Sequence, residues 1–578
     1  MILKAFQVKV DQINDINSYF TYLEIRHSCE LDNHVNFGWK EHNGRSFGSE
    51  VITDKFHHTR LLISFLKVQS PSFTSREAWS VKIIAKPLKS VKRTLSLLFY
   101  LGYEGDSSMK LKEIETESFK GYTGWTAEVG NFAFGMSKTT KKSTRALNII
   151  CDQVQKSKVW MITETFSNLM RSKLQQAYYA LGNELFKSDL IEYARLGSGS
   201  SLSQSNLLAY QFLIPNDEEV EFFYFPHDGK NIEKQVKIHL NALNKSKEKQ
   251  VEFNEKVIEK FNLKENLKLI PFVKYAISNL LGGISYFYGD SEIFSSTGEI
   301  EKTPKGSLFT DVPARANFPR GFYWDSGFHN ILIAKWDTML SMEILSNWID
   351  KIDKNGWIGR EQILGDEARS KVPREYITQN PEYSNPPAPL LPIEMITMKY
   401  SHNEIIKSKL KQMYPKLVSH FHWFLKKQRG SLLGSPEEEF LFRWRGRSNH
   451  HTLTSGLDDY PRGNIPSNFE LHVDLLSWMA FASRALSNIK KTLEISDENN
   501  FDEFYQLALR NLNQYHWDES RGCYSDVTIN DDEDGLMFVE HVGYVSIFPM
   551  LFGLVPVDDP KLEKLFDILE DPQQLWTE

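Results

Sequence analysis

The sequence predicts a multidomain β plus α chain, an N-terminal β-sandwich followed by a helical domain, on three observations. The chain has 578 residues, too many for one ordinary core. Short runs rich in β-branched and aromatic residues recur from Thr59 to about Leu243, separated by polar and Gly/Pro segments, which is the spacing of a sandwich. After about Asn244 the apolar residues change to helical spacing. The expected divisions are 1–243 for the sandwich, 244–268 for a helical linker and 269–578 for the helical domain.

Taken in order, the runs TRLLISFLKV, WSVKIIAKPL, TLSLLFYLGY, WTAEVGNFAFGM, NLLAYQFLIP, EVEFFYFP and QVKIHLNAL read as strands. Thr163 to Phe186 interrupts them with a helical pattern, expected as an excursion on the sandwich surface. The charged stretch NEKVIEKFNLKENLK leads into helices that stop at Gly282-Gly283. Pro466 to Thr492 is the clearest helix: Ser467 and Glu470 have capping-box spacing, and Leu475, Met479, Ala482, Leu486 and Ile489 keep helical period. Further helices fit Ser341 to Ile352, Asn403 to Gln428, Asn500 to Trp517 and Pro560 to Leu569.

A net charge of −7 gives no electrostatic reason to expect a nucleic-acid or anionic-membrane partner. Lysine-rich runs such as Lys245 to Lys249 read as solvated helix surface. Aromatic residues make up 13% of the chain and include 13 tryptophans, which suits stacking on sugar rings as well as ordinary core packing. Cys29, Cys151 and Cys523 are widely separated and lack metal-ligand spacing, so neither zinc nor a disulfide framework is indicated, one disulfide with a free thiol remaining open. The N-terminus has no secretory apolar region, and stretches such as Leu61 to Leu66 are too short to span a bilayer. A single sequon, Asn244-Lys245-Ser246, is compatible with the secretory route.

Long loops with dense Trp, Arg, Asp, Gly and Pro lie between the helices, and structured loops on a rigid scaffold commonly carry function. The first, FPRGFYWDSGFH (Phe318 to His329), mixes aromatics with Arg320 and Asp325. Pyranose rings present apolar faces for stacking and hydroxyls for a carboxylate or guanidinium, so the mixture suits a sugar site; Arg320 and Asp325 pairing across a loop is the plainer reading. The second, GWIGREQILGDE (Gly356 to Glu367), concentrates Arg360, Glu361, Asp366 and Glu367 and reads locally as an ion-pair cluster. The third runs from Phe442-Arg-Trp-Arg-Gly-Arg447 to Ser455-Gly-Leu-Asp-Asp-Tyr-Pro-Arg462. Neighbouring acids raise one another's pKa and burial raises it further, which a proton-donating carboxyl needs; Asp458-Asp459 equally fits a turn or a helix cap. No phosphate-binding glycine loop, Gly-x-Ser-x-Gly elbow or His-Glu-x-x-His helix occurs.

Together these segments resemble processing α-glucosidase I, the mannosyl-oligosaccharide glucosidases of glycoside hydrolase family 63. FPRGFYWDSGFH, GWIGREQILGDEA, NPP at Asn385, RWRGR, SGLDDYPR, HVDLLSW and GYVSIFP match in kind, order and approximate spacing, with GISYFYG and FGWKEHNGRSFG upstream. The resemblance implies that the helical domain is an α/α six-hairpin barrel whose loops form a glucose pocket. It also implies an inverting mechanism and, as substrate, the terminal α-1,2-linked glucose of the triglucosylated high-mannose glycan in the endoplasmic reticulum lumen. No metal or organic cofactor is implied, and no nucleic acid or direct membrane contact. Asp458 is implied as general acid, with Asp459 as fallback. Phe318, Phe322 and Trp324 are implied as apolar walls, Asp325 as a glucose-binding carboxylate, Arg360 and Glu361 as further polar groups and Trp444 as another wall.

The general base of the resembled family is a glutamate expected beyond Glu578, past a stretch beginning at Leu575-Trp576-Thr577, and its membrane anchor is expected before Met1. An incomplete barrel is therefore expected. Three readings follow: an exo-α-glucosidase whose base segment lies outside these residues, a non-catalytic relative that binds glucosylated glycan, or a barrel that another chain completes.

Overall fold

The computed structural model describes residues 2–3, 35–55, 58–70, 73–88, 94–105, 109–138, 145–152 and 156–187, isolated positions from 193 to 196, and 205–575 except 216, 432–439 and 531–534. The chain divides into two compact units, the first formed by Met1–Gly283 with Arg315–Asn317, the second by Ile284–Ala314 with Phe318–Glu578.

In the first unit the described strands are β1 (Ile2–Leu3), β2 (Val35–His42), β3 (Phe47–Asp54), β4 (Thr59–Ser70), β5 (Phe73–Pro87) and β6 (Thr94–Gly102). Beyond them come β7 (Lys110–Glu115), β8 (Phe119–Thr126), β9 (Gly130–Ser137), β10 (Arg145–Asp152), β11 (Leu207–Pro215) and β12 (Glu219–Pro226). They form an eight-stranded sheet ordered β2-β3-β4-β5-β12-β9-β8-β7 and a four-stranded sheet ordered β1-β6-β11-β10, with antiparallel neighbours throughout. Alternation puts every second residue of a strand on one face. Ile63, Val81, Ile83, Phe134 and Phe222 of the larger sheet therefore share one buried cluster with Leu97, Phe99, Tyr210 and Phe212 of the smaller. Phe222 stacks on Phe99 with ring centroids 3.9 Å apart and meets Phe212 edge-on at 5.3 Å.

Helix α1 (Ile162–Leu181) buries Ile162, Phe166, Met170 and Leu174 against Leu98, Leu207 and Ala209, on the other face of the smaller sheet, as a surface excursion should. The run QVKIHLNAL, expected as a strand, lies instead in helix α2 (Ile232–Leu243), so that expectation is corrected. Its apolar residues fit both periods, but Asn231 caps the segment by accepting from the Lys234 amide at 3.4 Å, and Val236, His239 and Leu243 are buried at helical spacing. Helix α3 (Ser246–Lys260) is followed by α4 (Ile270–Leu281), which ends at Gly282. Asn279 of α4 accepts from the Trp39 amide at 3.0 Å and donates to the Trp39 carbonyl at 3.1 Å. This bonding ties α4 to β2, so the boundary of the compact unit falls at Gly283, after the expected linker and not within it.

The second unit is mainly helical: α5 (Tyr323–Trp336), α6 (Thr338–Asp350), α7 (Leu390–Lys399), α8 (Glu404–Lys427), α9 (Val473–Thr492), α10 (Phe501–Asn511) and α11 (Pro560–Glu570). Helix α5 packs on α6 and α7, and α9 packs on α7, α8 and α10. Helix α9 buries residues on nearly all its faces, including Leu475, Met479, Ala482, Leu486 and Ile489, as a helix surrounded by others must. It begins at Val473, later than expected, and the Ser467/Glu470 capping box does not form. Ser467 Oγ accepts from the Phe469 amide instead, and the orphan amide of Val473 donates at 2.8 Å to Asp526, far along the chain. A carboxylate there also complements the positive end of the helix dipole.

Phe222→Ala should lower the stability of the first unit by about 3–5 kcal/mol, the usual magnitude for emptying a packed aromatic site, read by chemical denaturation.

Candidate active site

The FPRGFYWD and GWIGRE loops are joined by a minimal antiparallel ladder in which Gly321 pairs with Gln362 and Phe322 with Glu361. The Tyr323 amide extends it by donating to the Arg360 carbonyl at 2.9 Å. Glycine is required at 321 because a Cβ would approach Leu308, Trp348 and Thr310 to within 2.7–3.0 Å. The ladder sets Glu361, 5% exposed, between two guanidiniums. Arg320 reaches its Oε2 at 2.8 Å and Arg360 its Oε1 at 3.0 Å. Arg320 thus pairs with Glu361, where the plainer reading of the sequence paired it with Asp325. Its guanidinium also lies over Phe322 at 4.9 Å, and Phe318 meets Phe322 edge-on at 5.7 Å. Phe318 keeps a largely exposed ring.

The first turns of α5 present Trp324 and Asp325. Burial pushes the Asp325 carboxyl above the ordinary carboxylate range, His329 pulls it down, and Asp311 and Glu361 add to the rise. Asp311 accepts from Ser326 Oγ at 2.6 Å and pairs with His329 Nδ1 at 2.5 Å. Trp324 packs against Gly456, where φ is +77° and a Cβ would sit 2.3 Å from the indole, so both backbone and contact demand glycine.

Gly456 begins the acidic loop. Asn385, of the NPP stretch, braces the preceding turn by donating to the carbonyls of Leu453 and Thr454 at 3.0 and 3.1 Å. Asp458 is half-buried, and its carboxyl is raised first by that burial; Arg360 opposes the rise while Asp459 and Glu361 add to it. Asp459 turns outward, with its side chain 85% exposed and paired to His451 Nδ1 at 2.9 Å. The two acids of the doublet therefore have different environments, and Asp458 is the one suited to hold a proton. Downstream, Arg462 anchors the loop in a dry interior: its side chain is 2% exposed, and it donates to Asp474 at 2.6 and 3.1 Å and to Asp526 at 2.7 Å.

The C-terminal domain of glycosyl hydrolase family 63 matches residues 229–578, and the N-terminal domain of that family matches residues 13–192. This chain belongs to glycosyl hydrolase family 63. It is 31% identical to a probable mannosyl-oligosaccharide glucosidase of Schizosaccharomyces pombe over 98% of its own length and 78% of that protein's. It is 30% identical to the mannosyl-oligosaccharide glucosidase of Saccharomyces cerevisiae, over 96% and 77%. With alpha-glucosidase 2 of Arabidopsis thaliana the identity is 32%, over 96% and 75%.

In this family 63 chain the structure brings Phe318, Phe322, Trp324, Asp325, Arg360, Glu361 and Asp458 into one neighbourhood. Trp444 is corrected: it is 0% exposed, and its Nε1 donates to both oxygens of Asp474 at 3.1 Å. A ring so enclosed cannot stack on a ligand; it supports the carboxylate that holds Arg462. Asp311, His329, Arg320 and Arg462 are the polar groups that sequence reasoning did not assign. His329 follows Asp325 by four residues in a helix, which alone places them on one face, but nothing local announces its distant partner Asp311. Among the described residues no group of three or more His, Cys, Asp and Glu side chains is placed to hold a metal ion, and no helix is long and apolar enough to cross a membrane. Cys523 is buried and free; Cys29, the Cys151 side chain and Trp576-Thr577 lie outside the described residues.

Beneath the loop lies a second polar group of different character. Among the described residues, both oxygens of Glu470, Nε2 of His472 and two nitrogens of Arg447 are buried without a hydrogen-bond partner, although Arg447 stands 3.5 Å from Glu470. Burial pushes the Glu470 carboxyl up to about 7. His472 accepts from the Trp444 amide through Nδ1 at 2.9 Å, and burial, with Arg462 and Arg447 nearby, holds it neutral. A carboxyl raised on folding binds its proton more tightly in the native state, so stability is greatest below the unfolded pKa and declines as pH rises towards the folded one. The enzyme should therefore lose on the order of 3 kcal/mol between about pH 4.5 and 7 from this group. Glu470→Gln should flatten that slope, as denaturation midpoints at pH 5, 6, 7 and 8 would record.

Proposed function

We propose that this family 63 hydrolase is an inverting exo-α-glucosidase that removes the terminal α-1,2-linked glucose from the triglucosylated high-mannose N-glycan, in the lumen of the endoplasmic reticulum. The observation that carries the reading is the half-buried Asp458, its carboxyl raised by burial, beside the Arg360–Glu361 pair. The names of the relatives agree with it. The same reading takes the helices of the second unit as part of an α/α six-hairpin barrel, and the chain from 269 onward as its catalytic part.

In this mechanism Asp458 enters protonated and gives its proton to the glycosidic oxygen as the C1–O bond breaks. A second carboxylate removes a proton from a water that attacks C1 from the opposite face, so the α-glucoside yields β-glucose. The two carboxyls of an inverting pair stand roughly 6.5–9.5 Å apart to admit that water. Glu361 is unsuited to the task because two guanidiniums already occupy its oxygens; its role is to hold Arg360 towards the sugar. Phe318, Phe322 and Trp324 supply apolar walls, and Asp325 grips glucose hydroxyls.

The test is hydrolysis of the triglucosylated glycan by the full enzyme. Asp458→Asn should lower kcat/KM by about 10²- to 10⁴-fold, while Asp459→Asn stays within about tenfold. Proton NMR of the first turnover should show the β-anomer. Full activity in Asp458→Asn, or release of α-glucose, would overturn the mechanism, and glycan binding without turnover would favour the non-catalytic reading.

A further inference from the structure

His329 has no part in the mechanism above, yet its placement is that of a functional side chain. It follows Asp325 by one helical turn on α5, so both project from the same face. Its Nδ1 is fixed at 2.5 Å on Asp311, whose side chain is fully buried. Asp311 is itself held by Ser326 Oγ at 2.6 Å and by Asn330 Nδ2 at 3.4 Å. The imidazole therefore has little freedom to rotate, and its orientation is set from behind. Its other edge is open: the side chain is 25% exposed, and among the described residues no hydrogen bond to Nε2 is formed.

We propose that His329 is a second substrate-contacting residue, hydrogen-bonding through Nε2 to a hydroxyl of the bound glucose adjacent to the hydroxyl held by Asp325, with Asp311 as the positioning residue. Burial opposes charge on the ring, but the hydrogen bond and charge of Asp311, with Asp325 adding, carry its pKa above the ordinary histidine value. With Nδ1 held on Asp311, Nε2 remains available to a ligand, donating when the ring is charged and accepting when it is neutral, while Asp325 acts as an acceptor. Two hydrogen-bonding side chains side by side match a vicinal diol, because each hydroxyl can both give and receive a hydrogen bond. Specificity arises too, since a sugar that lacks or inverts one hydroxyl leaves a buried polar group unpaired.

This inference rests on the pocket being a glucose site, and the experiment separates the two claims. D-glucose binding to the full enzyme is measured by calorimetry for the unsubstituted protein, His329→Ala, His329→Gln and Asp311→Asn, with Tm recorded for each. The expected result is a Kd raised about 10- to 100-fold in His329→Ala, the scale of one hydrogen bond to a charged group. His329→Gln should recover part of the loss through its amide N–H, and Asp311→Asn should be intermediate. In turnover, KM should rise in His329→Ala by more than kcat falls, a split that a general loss of structure does not give. If the unsubstituted enzyme binds no glucose, the glucosidase reading fails and this assignment with it. If it binds glucose and His329→Ala binds within twofold of it, the assignment alone is overturned. Should His329→Ala not fold, the decision passes to His329→Gln, for which unchanged Kd and unchanged discrimination between glucose and mannose overturn it.

Discussion

Arg462 lies out of water between Asp474 and Asp526, and four separate segments of the helical unit meet at that point. One is the loop that carries Asp458; the second is the start of α9, where Asp474 sits and where Asp526 caps the Val473 amide. The third contains Trp444, whose indole also bonds Asp474. The fourth is the chain around Asp526 itself, paired to Leu471 through Val527. A buried guanidinium is favourable only while its carboxylates remain in place, and removing one partner from such a group typically costs about 3–5 kcal/mol. The arrangement therefore has little tolerance for partial loosening. The position of the loop that carries Asp458 is set by this buried bond network.

Around this anchor the charged groups are graded by exposure. Asp459 is in water and keeps an ordinary surface partner in His451, whereas Asp458 is drawn inward, where desolvation favours its protonated form. Glu361 is deeper still and is held by two guanidiniums, one of which, Arg360, also tempers Asp458. Three carboxylates of one neighbourhood are thus placed in three electrostatic settings by backbone geometry alone. The short ladder between Phe322 and Glu361 accomplishes much of it, since it fixes how far Arg360 and Glu361 enter.

The sequence conveyed the β-then-α order because period is a local property: Ile63 and Ile83 alternate along their strands, and Leu475 to Ile489 recur at helical spacing. It failed at QVKIHLNAL, where a short apolar run satisfies both periods and the Asn231 cap decides. The Ser467/Glu470 pattern misled for a related reason. A capping box is defined by residue types, but the true cap of α9 comes from Asp526, which no local window contains. Of the pocket residues, those in dense motifs were legible, and those acting across the fold were not. Asp311 and Arg462 matter through partners brought to them by tertiary structure, and Trp444 looked like an open wall only because burial cannot be read from RWRGR. The family resemblance named candidates; the environments of Asp458 and Asp459 supplied a physical reason to prefer one.

The contact between Trp324 and Gly456 joins two parts of the pocket that chemistry would treat as independent. The Trp324 ring rests on the backbone that leads to Asp458, with no space for even a methyl group between them. Widening the pocket by shrinking Trp324 would remove the support under residue 456, and a side chain at 456 would push the ring away. The ring and the loop that bears Asp458 are in this way coupled: a change of volume on one side has to be matched on the other.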